Sequence, residues 1–141
     1  MSRPAGRRTL ILAALLGASA VAIGAFGAHA LDGRLSERAL GWYRTGAAYH
    51  ATHALALLGC GLFAAHAGSW RQAGDVADAP GSLLRVAASC LGVGTLLFCG
   101  SLYLMAFTGW TRLGIVTPLG GLALIAGWLA MAIAAWRLRA P

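Results

Sequence analysis

Four long apolar runs dominate the chain: Thr9–Leu31, Ala47–His66, Val86–Phe107 and Ile115–Trp136, none of which contains Arg, Asp or Glu. Each meets the roughly 20 residues that cross a bilayer core as a helix rising about 1.5 Å per residue. The pattern predicts an all-α integral membrane protein, a four-transmembrane-helix antiparallel bundle forming a single membrane domain over residues 1–141. Within the second run, Tyr49, His50, His53, Leu57, Cys60 and Ala64 recur with a helical period on one side, and Ala51, Leu55, Leu58 and Leu62 hold the other. The first stripe is expected to face the bundle and the second the lipid.

The connections differ in character. Residues 32–46 place Leu35, Ala39, Trp42 and Tyr43 at amphipathic spacing, with Arg34, Arg38 and Glu37 in another sector. That fits a candidate interfacial amphipathic helix between helices one and two, or a loop pinned to the surface by a few apolar residues. Residues 67–82, small and polar with Pro80-Gly81, read as a flexible cytoplasmic loop. The third connection, around Gly109, is short enough to force an antiparallel hairpin. Thr117 and Pro118 suit the N-cap and first turn of helix four. Gly24, Gly27, Gly92, Gly120 and Gly121 are expected to let helices approach closely, as are the spaced sets Ala20/Gly24/Ala28 and Ala126/Ala130/Ala134.

Composition agrees with the pattern: 59% hydrophobic and 11% charged over 141 residues, against about 45–50% and 25% in soluble domains. The net charge of +7 is carried by arginines spread between and beside the runs, so nucleic acid is not an expected partner. Seven arginines (Arg3, Arg7, Arg8, Arg71, Arg85, Arg137, Arg139) fall on the side of the termini, against four (Arg34, Arg38, Arg44, Arg112) on the other. The positive-inside rule then puts both termini in the cytoplasm. Arg7-Arg8 and Ala18-Ser19-Ala20 have the look of a cleavable leader, but the apolar run continues unbroken to Leu31, which favours retention as a span.

Alternating the helix directions brings the unusual segments to one layer, the half of the bundle opposite the termini. His29, Tyr49, His53, Tyr103 and Thr117 form the candidate cluster. Counted from Ala47, His50 and His53 lie roughly 5 and 9 Å deep, which makes His50 interfacial and His53 just buried. Intramembrane ionisable groups are costly and often functional. Ser101 and Tyr103 lie roughly 160° apart on a regular helix and cannot face one pocket. Thr95 is expected to bond its own backbone. Three imidazoles in one layer admit a metal or haem, yet no acidic or cysteine ligand joins them at an established spacing. Cys60, Cys90 and Cys99 form no CxxC and read as buried thiols. No nucleophile–base pair is visible, and all four carboxylates (Asp32, Glu37, Asp75, Asp78) lie outside the runs. An enzyme is therefore not expected, and no cofactor is assigned.

The ordered segments "GAFGAHAL", "YHATHALALLG", "FCGSLYLMA", "TPLGG" and "AGW" resemble the YgdD-like small membrane proteins, the domain-of-unknown-function 423 family, related to transmembrane protein 256. The resemblance covers about Leu12 to Arg139. It implies four membrane helices in the bacterial inner membrane and supplies no catalytic residue. His53 matches the family histidine, whereas His50 stands where the family carries Gln or a similar residue, which shifts weight to His53 and His29. Two functional expectations follow. The first is a non-enzymatic accessory or interaction protein whose partners are the bilayer and a second copy or another membrane protein. The alternative is a small-molecule, metal or haem binder, or a transporter component, with a pocket on the side opposite the termini.

Overall fold

A computed structural model describes residues 6–31, 33–72 and 81–137. It contains α1 (Arg7–Ala30), α2 (Glu37–Gln72), α3 (Gly81–Thr108), a 3-10 turn (Thr111–Ile115) and α4 (Val116–Trp136). All four helices are long and apolar enough to cross a membrane. The protein is an all-helical integral membrane protein, as its sequence predicts.

Helix ends follow local chemistry. Ser36 caps α2: its Oγ accepts the Ala39 N–H at 3.3 Å, and its carbonyl accepts from Leu40 at 2.9 Å, while Glu37 sits in the positive first turn. Gly109, at φ 69°, closes α3 by donating its N–H to the Met105 carbonyl at 3.0 Å, a left-handed cap that costs glycine least.

Two expectations about the connections change. Residues 37–46 are not a separate surface helix; they are the first turns of α2. Their apolar sector turns inward, because Ala39, Leu40 and Tyr43 are buried, the latter two with Leu31 and Ala106. No proline or turn signal interrupts the helix, and inward burial gains more than lying flat. α2 is 36 residues long, about 54 Å at 1.5 Å per residue, and outreaches a hydrocarbon core of about 30 Å. Likewise, residues 67–72 of the expected loop are helical and α3 begins at Gly81; residues 73–80 of that expectation lie outside the described residues.

The main packing is between consecutive helices, α1 on α2, α2 on α3 and α3 on α4. One core cluster gathers Ala13, Leu57, Cys60, Leu84, Leu91 and Leu124 from all four helices. A second, toward the α1–α2 connection, is built on Leu31, Leu40, Tyr43 and Ala106. Around them, Leu15, Val21, Leu55, Leu96, Leu122 and Ile125 are exposed. Such an apolar belt is a liability in water and the natural surface in lipid. Only 6% of the apolar window of α1 is buried, so α1 is the peripheral helix.

α3 and α4 meet most closely. A Cβ at Gly94 would stand 2.8 Å from Leu124 Cδ2, one at Gly127 2.7 Å from Leu91 Cγ, and one at Gly120 2.8 Å from the Phe98 Cα. Each helix seats a large side chain over the other's glycine, in antiparallel register. Expected close approaches at Gly27 and Gly120 are present; a Cβ at Gly27 would stand 2.5 Å from the Tyr43 ring. Gly92 and Gly121 are looser, where a Cβ would stand 3.4 Å from Leu12 and 3.8 Å from Phe98. Gly24 has nothing within 4 Å, and it and Ala28 are exposed, so the Ala20/Gly24/Ala28 set is not a packing face. Gly46, Gly61, Gly94 and Gly127 are close-approach positions the sequence does not single out.

Candidate functional site

His50 and His53 are both nearly excluded from the surface, at 7% and 5% exposure. His50, expected near the membrane interface, is enclosed by protein and takes its partners from α1 and α3. Both histidines stand roughly four turns into α2, which starts at Glu37. The helical period itself is right: Leu57 and Cys60 on the same stripe are fully buried, and Leu55, Leu58 and Leu62 opposite are exposed.

His50 joins three helices. Its Nε2 lies 3.2 Å from Ser19 Oγ on α1, and its Nδ1 3.3 Å from the Tyr103 hydroxyl on α3. Ser19 spends its proton on the Leu16 carbonyl at 3.0 Å, so toward His50 it accepts. His50 therefore carries its proton on Nε2, and its bare Nδ1 accepts the Tyr103 O–H. Tyr103 packs at a tilt against Tyr43, ring centroids 5.4 Å apart, and Tyr43 donates its hydroxyl to the Ile23 carbonyl of α1 at 2.6 Å. Gly27 and Gly46 make room, since a Cβ at either would strike the Tyr43 or Tyr103 ring, at 2.5 and 2.8 Å.

His53 has the opposite tautomer. Its Nδ1–H donates to the Tyr49 carbonyl one turn back at 2.7 Å, and its Nε2 accepts the Trp128 indole N–H from α4 at 3.3 Å. Trp128 is 44% exposed; its position follows from this bond, which explains an indole far from either end of α4. Tyr49 faces outward more than its stripe suggests, at 43% exposure, with its ring stacked on Phe98 at 4.5 Å.

The remaining candidates part company. Thr117 does not cap α4; Ile115 stands at that position and makes no side-chain cap bond. The 3-10 turn leads straight into α4, leaving the Thr117 hydroxyl free to meet Ser101 Oγ at 2.8 Å. Ser101 donates to the Phe98 carbonyl at 2.9 Å, so Thr117 is the donor between them. Ser101 thus serves the α3–α4 interface and Tyr103 the α2–α3 interface, as their angular separation requires. His29 is exposed in the last turn of α1 and makes none of these bonds among the described residues. The expected cluster is divided among separate helix interfaces: Tyr103 with His50 between α2 and α3, Thr117 with Ser101 between α3 and α4, and His53 with Trp128 between α2 and α4.

Both nitrogens of each buried imidazole are engaged, and among the described residues no buried side-chain nitrogen or oxygen lacks a hydrogen-bond partner. No three His, Cys, Asp or Glu among the described residues come together in a metal-binding group. Recruiting His53 to a metal would first cost its bond to Trp128. The sequence underrates His50, Ser19, Ser101 and Trp128; the recurrence of His50 with Leu57 and Cys60 was the available signal.

A cavity of about 430 Å³ opens between α1 and α2, lined by Gly24, Gly27, Leu40, Tyr43, Arg44 and Ala47 among others. It is the groove left where the small face of α1 is not met by side chains of α2.

Residues 23–121 match the family model described as protein of unknown function (DUF423). The chain is 38% identical over 134 residues to the UPF0382 inner membrane protein YgdD of Escherichia coli K12, covering 94% of this chain and 92% of that one. It is 37% identical over 126 residues to the UPF0382 membrane protein YwdK of Bacillus subtilis, covering 89% and 94%. A UPF0382 membrane protein of Haemophilus influenzae is 34% identical over 128 residues, covering 91% and 93%. No solved structure matches.

Proposed function

The chain belongs to the DUF423 family of membrane proteins, and from that membership we propose that it is a non-enzymatic accessory or interaction protein of the bacterial inner membrane, with both termini in the cytoplasm. The observation that carries this reading is the complete internal use of the buried polar groups. His50, His53, Ser19, Ser101 and Thr117 each bond a neighbouring helix, so they serve as clamps between helices and leave no open constellation of groups for acid–base or nucleophilic work. The faces free for contact are outward: Leu15 and Val21 on α1, and Leu122, Ile125 and Leu129 on α4.

The test is photocrosslinking in intact membranes from a photoreactive residue at Val21 or Leu129. Discrete protein adducts, either a second copy or another membrane protein, are expected. Adducts to lipid alone overturn the interaction role. Native mass spectrometry from mild detergent supplies the second arm: stoichiometric metal or haem, lost in His53→Ala, would replace this reading with the binder. One observation favours a narrower version of that alternative, namely the groove between α1 and α2, whose walls take an amphiphile better than a metal.

A further inference from the structure

The groove lies at the level of the α1–α2 connection. α1 and α2 touch at Gly27–Tyr43 and again at Leu10–Gly61. Gly24 faces open space, and the void of about 430 Å³ lies beside the Gly27–Tyr43 contact, with Ala28 and Leu40 on one side of that contact and Gly24 and Ala47 on the other. That volume falls in the roughly 300–1,000 Å³ range of ligand pockets and suits part of one chain and its polar linkage, not a whole lipid. The lining joins the small faces of Gly24, Gly27, Ala28 and Ala47 to the Arg44 head group, which suits a molecule apolar at one end and polar at the other.

The rim supplies the second half of the argument. Arg44 lines the groove, one helical turn from Leu40 and Ala47. It is exposed and makes no ion pair among the described residues. Arg34 and Arg38 share this end with Asp32 and Glu37, two acids that offset them in the sequence and leave Arg44 as the cation in excess. The Arg38 guanidinium is already placed 5.9 Å over the Trp42 ring, which leaves Arg44 as the cation at the groove. A guanidinium binds phosphate oxygens through two parallel bonds, and the neighbouring Trp42, partly exposed, is a residue type enriched at headgroup depth.

We infer that the α1–α2 groove is a binding site for an anionic glycerophospholipid, with one acyl chain along Gly24 and Gly27 and the phosphate on Arg44. The site is independent of the clamp reading: it uses none of the imidazoles and stands or falls without a protein partner.

The test is native mass spectrometry of the full chain in mild detergent, titrated with phosphatidylglycerol, with phosphatidylcholine of the same chains, and with inorganic phosphate. Wild type is expected to take one phosphatidylglycerol about tenfold more tightly than phosphatidylcholine. Arg44→Gln should remove that preference. Gly24→Leu should block the site for both lipids, and its fold should survive because a Cβ there meets nothing within 4 Å. Ala28→Leu, on the same exposed face, repeats the block, and thermal melts confirm that each variant is folded. Equal lipid ladders in wild type and folded variants would overturn the site. Binding of inorganic phosphate that excludes the lipid would overturn the lipid assignment.

Discussion

His50 shows how one residue becomes structural in a membrane. An imidazole in hydrocarbon is expensive unless both nitrogens find partners; here Ser19 and Tyr103 supply them from two other helices. Hydrogen bonds between membrane helices average about 0.6 kcal/mol and reach about 1.7. A double-mutant cycle with Ser19→Ala and His50→Ala, read by thermal or denaturant unfolding in detergent, is expected to give a coupling of about 1 kcal/mol. A coupling near zero would mean that the bond does not hold α1 to α2. The matching cycle, His53→Ala with Trp128→Phe, tests the α2–α4 bond; Trp128→Phe keeps an aromatic ring and removes the N–H together with the bulk of the fused ring, a packing loss common to both backgrounds that the cycle cancels. Its expected loss is smaller in the His53→Ala background than in wild type. Both tautomers stated above are decided by neighbours on other helices, so neither is legible along the chain. What is legible is the stripe of His50, His53, Leu57 and Cys60, which periodicity alone places on the buried side.

Among elements, the α3–α4 pair is the tightest joint and the most sensitive to volume. Gly120 faces the Phe98 backbone, which cannot swing aside as a side chain can. Gly120→Ala is therefore expected to push the helices apart and destabilise the protein by about 1–3 kcal/mol, seen as a lower melting temperature in detergent. Gly24→Ala provides the contrast. With open space around it, the substitution should leave stability unchanged or raise it by about 0.5–1 kcal/mol through helix propensity. A sequence rich in small residues offers many such glycines, and nothing local separates the two kinds. Helix α2 teaches a related lesson. Its apolar run from Ala47 is plain, but the turns from Glu37 read as a surface helix because their amphipathic pattern suits either a membrane surface or a protein wall. Packing of Tyr43 against Leu31, Ala106 and Tyr103 decides for the wall.

For the molecule as a whole, the arginines at and beyond the helix ends give an expected orientation. Seven arginines beside the termini against four on the other side predict that a C-terminal green fluorescent fusion glows and a C-terminal alkaline phosphatase fusion stays inactive. Active phosphatase would reverse the topology and with it the leaflet that the groove opens to. The peripheral α1 and the exposed face of α4 give the bundle two broad apolar sides. A monomer solvated by lipid needs neither side covered; an assembly would bury one of them, which the crosslinks from Val21 and Leu129 distinguish.

The chain by itself determines that there are four spans, roughly where they lie, and which side of α2 turns inward. These follow from hydropathy and periodicity, which act residue by residue against a solvent of fixed thickness. Only the tertiary structure decides which polar groups meet. Ser19, His50 and Tyr103 are far apart in sequence, as are His53 and Trp128, and their pairing depends on helix starts, tilt and rotation. The side chains that α1 and α3 bring up to His50 make it a buried clamp, and no count along α2 alone identifies them.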